Sequence, residues 1–157
     1  MATDDHSLSQ YDRTKVPDGK NLRFALVVSA WNESITASLF QAAKATLVDH
    51  NVLEENIMRI DVPGSFELIY GARHAQKMGF DAIIAIGCVI QGETRHFEFI
   101  SNAVAQGIKD LNLNNEAPVV FCVLTDDNLE QSKARSGGDK GNKGVEAAVT
   151  ALHMASL

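Results

Sequence analysis

The chain has 157 residues and a mass of 17.0 kDa, enough for one domain with a proper core. Its apolar content of 45% suits a globular protein, and its net charge of −6 argues against nucleic acid or an anionic membrane as the main partner. No apolar run approaches the ~20 residues of a membrane span.

Residues 1–21 are rich in Asp, Ser and Gln and are broken by Pro17 and Gly19. They read as a flexible N-terminal arm, with one domain over residues 22–157. Residues 1–20 hold no apolar segment of the signal-peptide kind, so a reducing, cytoplasmic compartment is expected.

The first strand is expected over Arg23–Ser29, an apolar run. After Trp31 comes a helical stripe of Ile35, Leu39, Ala43 and Leu47, with Asn32 or Ser34 as its cap. Ile57–Val62 reads as the second strand, ended by Pro63-Gly64. A second helix carries Leu68, Ala72 and Ala75 and ends near Gly79. Ala82–Val89 is the third strand, and Phe97, Ile100, Val104, Ile108 and Leu111 mark the third helix. Val119–Leu124 is the fourth strand. A short helix over Asn128–Ala134, a glycine-rich loop over Gly137–Gly144 and a last helix through Val145, Ala148, Val149 and Leu152 complete the chain.

Strands alternate with helices, and the strands read as continuous apolar runs, the pattern of sheets covered on both faces. No two-residue hairpin signal is present. The expected architecture is therefore α/β: a parallel four-stranded sheet with helices on both faces.

In such a sheet, ligands bind beyond the carboxyl ends of the strands. Four segments fall there: residues 30–33, 63–67, 90–96 and 125–127. His96 follows a buried strand and a Gly-x-Thr-x turn, where an imidazole can relay protons near neutral pH. His6, His50, His74 and His153 fall in the arm or in helices and read as packing or surface residues. Gly92, Thr94 and the amides that follow form either an anion site or a plain helix cap. Lys133, Arg135, Lys140 and Lys143 make the most basic stretch of an acidic chain, among Gly137, Gly138, Gly141 and Gly144. This stretch is either a phosphate site or a solvated surface loop, and it lacks the Walker spacing. Trp31, the one tryptophan, is either a stacking platform or a core anchor. Glu67 suits a polyol or the dipole of its own helix. Cys88 and Cys122 sit in apolar strand runs and read as core residues; no metal-ligand spacing is present.

Three motifs in this order, Val62-Pro63-Gly64-Ser65-Phe66-Glu67, Gly87 to Phe97 (GCVIQGETRHF) and Gly141 to Ala148 (GNKGVEAA), resemble the lumazine synthases. The likeness runs from about residue 22 to the end, and its central motif, G-x-V-I-x-G-x-T-x-H-F, is highly specific. The resemblance implies a flavodoxin-like α/β sandwich. It also implies condensation of 5-amino-6-ribitylaminouracil with 3,4-dihydroxy-2-butanone 4-phosphate. The products are 6,7-dimethyl-8-ribityllumazine, phosphate and water, in the penultimate step of riboflavin biosynthesis.

By that likeness Trp31 stacks on the pyrimidine, where many members carry Phe. Ser65, Phe66 and Glu67 match the ribityl-binding segment, and Val89 and Ile90 the pyrimidine pocket. Glu93 and Thr94 match the phosphate turn, and His96 the proton-transfer residue. Phe121 and Arg135 match residues given by a neighbouring subunit, Arg135 on the phosphate. Lys143 and Glu146 match a supporting charged pair. One departure is Asp139, which stands where many members have Lys; adjacent Lys140 is the candidate substitute. The implied partners are two small-molecule substrates, one phosphorylated, and further copies of the chain as a homopentamer or a sixty-subunit capsid. No step transfers a hydride, so neither cofactor nor metal is expected. Two alternatives on the same fold are a non-catalytic flavin- or lumazine-binding module and a primarily shell-forming protein.

Overall fold

The computed structural model describes residues 7–113 and 116–157. His6 and the first six residues of the expected arm lie outside the described residues. Four strands form one parallel sheet: β1 (Phe24–Ser29), β2 (Ile57–Val62), β3 (Ala82–Ile90) and β4 (Val119–Asp126), in the order β2-β1-β3-β4. The connections are helical: α1 (Glu33–Asp49), α2 (Leu68–Gln76) and α3 (His96–Leu111). After β4 come α4 (Leu129–Arg135), two short strands, β5 (Ser136–Gly138) and β6 (Gly141–Asn142), and α5 (Lys143–Ala155). The α/β architecture expected from the sequence is the observed one.

Strand alternation sorts the core into two layers. Phe24, Leu26 and Val28 of β1 point to one face, with Leu39 and Leu47 of α1 and Ala148 and Leu152 of α5. Ala25 and Val27 point to the other, with Leu68 and Ala72 of α2 and Val104 and Ile108 of α3. Both faces of β1 and of β3 up to Cys88 are buried, so these strands read as apolar runs, with buried Ser29 at the end of β1 as the polar exception. β2 differs. It is an edge strand in which no residue is fully buried: Met58, Arg59 and Asp61 are exposed and Ile57, Ile60 and Val62 half-buried, with Arg59 paired to Asp61 at 2.8 Å. Its charges suit an edge that must not recruit another strand.

The segment between α4 and α5 departs from expectation. In place of an open glycine loop, β5 and β6 form an antiparallel hairpin across Asp139-Lys140. The usual Asn-Gly signal is missing because the required backbone freedom lies outside the turn pair, in Gly137 (φ 120°) and Gly141 (φ 85°).

Residues 7–22 run along this side of the fold. The amide of Leu8 donates to the carbonyl oxygen of Lys140 (2.9 Å), and the amide of Gly19 to that of His50 (2.8 Å). Arg13 donates to the carbonyl oxygen of Asp49, and Tyr11 Oη lies 3.3 Å from His50 Nε2. Among the described residues no helix is long and apolar enough to cross a membrane.

Candidate active site

The strand order changes direction between β1 and β3, and a sheet of this kind opens a crevice beyond the carboxyl ends of those two strands. A cleft of about 540 Å³ lies there. Three strand ends build it.

From β1 the chain runs into Trp31 and Asn32. Asn32 takes the left-handed conformation (φ 59°, ψ 45°), which Asn tolerates better than most residues. Its side chain does not cap α1, as the sequence had suggested. Nδ2 donates instead to the carbonyl oxygen of Cys88 on β3, at 2.9 Å. Trp31 beside it is 73% exposed, so it is no core anchor; its ring is free to cover a ligand.

From β2 come Gly64, Ser65, Phe66 and Glu67. A Cβ on Gly64 would stand 2.9 Å from Glu67 Oε2 and 3.5 Å from Trp31 Cδ1. The bare turn lets the carboxylate lie close against it; a side chain there would displace the end of Glu67. Ser65 is buried, and its hydroxyl has no hydrogen-bond partner among the described residues. Gly87 on β3 makes room for that hydroxyl, since a Cβ there would lie 2.8 Å from it.

From β3 come Val89 and Ile90, and then an exposed turn. The amide of Gln91 donates to the carbonyl oxygen of Asp126 (2.9 Å), tying the turn to β4. Glu93 and Thr94 lie on the exposed part. Thr94 Oγ1 accepts from the amide of His96 at 3.4 Å. His96 is the first residue of α3 and faces the cleft with Ile100.

The cleft thus has apolar walls of Trp31, Phe66, Val89, Ile90 and Ile100, with a few polar groups: Asn32, Ser65, Glu67 and His96. This is the make-up of a site for a flat ring carrying polar substituents. Seven of the residues singled out in the sequence meet here: Trp31, Ser65, Phe66, Glu67, Val89, Ile90 and His96. Asn32, Gly64, Cys88 and Ile100 were not singled out as site residues. Asn32 carried one sequence signal, its place directly after Trp31, which was read as a helix cap.

The others do not line this cleft within one chain. Arg135 ends α4, where Nη1 donates to the carbonyl oxygen of Gln131 (3.1 Å) and Nε lies 3.9 Å from Asp126 Oδ1. Asp126 is buried and also accepts from Ser132 Oγ at 2.8 Å. Ser132 Oγ in turn lies 3.4 Å from Cys88 Sγ. Lys143 pairs with Glu146 at the start of α5. Phe121 and Glu146 line a second hollow of about 370 Å³ along β4. Burial pushes the Cys88 thiol up, against the pull of its hydrogen bond with Ser132, and pushes that of Cys122 up to about 12. Both read as inert packing groups, as their sequence setting suggested.

Comparison with known proteins adds a separate line of evidence. Residues 21–157 match the family model for 6,7-dimethyl-8-ribityllumazine synthase. A protein of that name from Christiangramia forsetii is 57% identical, over all of this chain and 95% of its own length. One from Flavobacterium johnsoniae is 54% identical, over all of this chain and 83% of its own. One from Porphyromonas gingivalis is 49% identical, over all of this chain and 98% of its own.

Proposed function

We infer how the site works from one premise: the chain belongs to the 6,7-dimethyl-8-ribityllumazine synthase family. The protein is a transferase of riboflavin biosynthesis. It condenses 5-amino-6-ribitylaminouracil with 3,4-dihydroxy-2-butanone 4-phosphate to 6,7-dimethyl-8-ribityllumazine. The residue roles that follow are our reading. They rest above all on the convergence of Trp31, Ser65, Glu67 and His96 on one cleft.

Trp31 stacks on the pyrimidine, and Val89 and Ile90 form the wall against it. Ser65, Phe66 and Glu67 hold the ribityl chain; the Glu67 carboxylate at the cleft matches its polyol character. The amine attacks the ketone and a Schiff base forms with loss of water; phosphate leaves by elimination, and the ribityl-bearing nitrogen closes the ring onto the remaining carbonyl with loss of a second water. Each step moves a proton, and His96 at the cleft wall is the group suited to relay it. Holding two substrates in one crevice supplies much of the remaining acceleration.

The phosphate falls to the Glu93-Thr94 turn and to Arg135. Arg135 and Phe121 do not line the cleft of their own chain, which supports a site completed by a neighbour. In this reading the active form is a homopentamer, with Lys143 and Glu146 supporting the shared site. A sixty-subunit capsid is the larger assembly. Exposed aromatic side chains, Tyr70 at 79% and Phe99 at 69%, are further support for subunit contacts. Two unpaired cysteines fit a cytoplasmic enzyme.

The test is an activity assay with both substrates, read by lumazine fluorescence, on the wild type and on Arg135→Ala. A selective rise in KM for the butanone phosphate is expected, because a guanidinium binds phosphate through two parallel hydrogen bonds. Equal effects on both KM values would remove Arg135 from the phosphate site.

A further inference from the structure

The hairpin β5–β6 links Arg135 to Lys143, so its placement governs where both cations stand. Two glycines with positive φ make it pliant, and something must hold it. On the inner side Ser38 does so: its Oγ donates to the carbonyl oxygen of Ser136, and Asn142 Nδ2 donates to Ser38 Oγ at 3.4 Å. On the outer side the hairpin is held by the chain's own N-terminal segment.

That outer contact is extensive for so short a piece. The amide of Leu8 donates to the carbonyl oxygen of Lys140 in the hairpin turn, at 2.9 Å. Ser9 Oγ accepts from the amide of Asn142 at 2.9 Å. The Leu8 side chain is 7% exposed, a degree of burial that an unattached polar arm would not give it. Leu8 and Tyr11 close a small hollow of about 240 Å³ against Glu146, Val149 and Thr150 of α5. Between them the backbones run so close that a Cβ on Gly141 would stand 2.8 Å from the Ser9 nitrogen and 2.9 Å from the Leu8 nitrogen. Gly141 is therefore fixed as glycine twice, by its φ and by the segment lying on it. Asn142, which Ser9 grips, also caps α5 by accepting from the amide of Gly144 at 2.8 Å. One contact thus bears on both the hairpin and the helix that carries Lys143 and Glu146.

We propose that Leu8 and Ser9 are positioning residues for the phosphate end of the reaction, acting as a strap that fixes the Arg135–Lys143 hairpin. Neither touches a substrate. Removing the strap frees the hairpin to sample other positions, and the ordering that phosphate binding then requires is taken from the affinity for the phosphorylated substrate. The pyrimidine cleft, built from β1, β2 and β3, is left as it is. The inference rests on the reading that Arg135 binds the phosphate.

The experiment compares Leu8→Asp, Ser9→Ala, Leu8→Ile and Arg135→Ala, each as the full chain, with both KM values, kcat and the thermal midpoint measured. Leu8→Asp should raise KM for the butanone phosphate about five-fold or more, roughly the weight of one ordinary hydrogen bond. KM for the ribitylaminouracil and kcat should stay within about two-fold, the midpoint should change little, and Leu8→Ile should behave as wild type. Ser9→Ala should move the same KM in the same direction. An effect of Arg135→Ala without one from either strap variant overturns the strap and leaves the phosphate reading standing. No effect from Arg135→Ala overturns that reading and the strap with it. Equal rises in both KM values, or a collapse of the midpoint, show general loosening and also overturn the proposal.

Discussion

The side chain of Asn32 crosses from the end of β1 to the end of β3, where Nδ2 donates to the carbonyl oxygen of Cys88 at 2.9 Å. This bond closes the switch point of the sheet and fixes the backbone that carries Trp31. It also explains why Asn stands at φ 59°: the residue must tolerate the left-handed region and carry a donor that reaches β3.

Asn32→Ala loses both properties. An unpaired Cys88 carbonyl and a strained alanine should together cost about 2 kcal/mol of stability. Trp31 then loses its fixed backbone, so KM for the ribitylaminouracil should rise while KM for the butanone phosphate holds. Asn32→Gly keeps the backbone conformation and should recover part of the stability but not the bond. Urea unfolding and steady-state kinetics on the two variants measure this. Equal stability of Ala and Gly variants would show that backbone strain plays no part.

For His96→Ala, turnover should fall by ~10²–10⁴-fold without vanishing, the usual size of general acid–base help. Trp31, Ser65 and Glu67 still gather the substrates, so both KM values should stay close to wild type. An unchanged kcat in the fluorescence assay would take His96 out of the mechanism.

Much of this was legible in the sequence for a physical reason. β1 and β3 are covered on both faces along nearly their whole length, so almost every residue in them is apolar, and a continuous apolar run betrays such a strand. Trp31, Glu67 and His96 drew attention because each stands just past a strand end. The hairpin was not legible, since its two turn residues, Asp139 and Lys140, carry no hairpin preference and the freedom lies in flanking glycines. Nor was the bond from Asn32 to Cys88, which joins residues 56 apart and depends on strand order. The packing of Leu8 onto the Lys140 turn is longer in range still, and nothing in a polar, proline-broken segment announces it.

His50 should make the docking of residues 11–19 sensitive to pH. The ring is buried, meets Tyr11 Oη at 3.3 Å, and its residue's carbonyl oxygen holds the amide of Gly19. Burial, and then the charge of Arg13, lower its pKa below the ordinary value, against opposing pulls from Asp49 and Asp18. A depressed histidine pKa means that the folded state prefers the neutral ring. Its stabilisation is therefore complete above the unfolded value near 6.5 and is lost as pH falls through the lower folded value. Amide protection factors over residues 11–19, taken relative to intrinsic exchange at each pH, should fall between about pH 7 and pH 5 in the wild type and show a smaller change in His50→Gln. The same pH response in both proteins would assign it to other groups.

A shared active site makes a prediction that no single-chain site can imitate. His96 faces the cleft between β1 and β3, whereas Arg135 sits on α4, tied to Asp126 and Gln131 of its own chain. If a neighbour's Arg135 completes each cleft, His96→Ala and Arg135→Ala chains are defective in different halves of the same site. Each homogeneous assembly has every site damaged. Mixing the two after dissociation and reassembly creates some interfaces with an intact His96 facing an intact Arg135. In a ring with random order and equal amounts, about one interface in four pairs the two intact halves, since each half is intact with even odds. Assayed with the butanone phosphate well below the raised KM of Arg135→Ala, activity should rise towards about a quarter of wild type, above the mean of the two parents. Mass measured by light scattering would first establish that the assemblies are pentamers or capsids, and native mass spectrometry that they are mixed. Mixed assemblies no more active than the parents would show that each chain completes its own site, and a fully active monomer would do so directly.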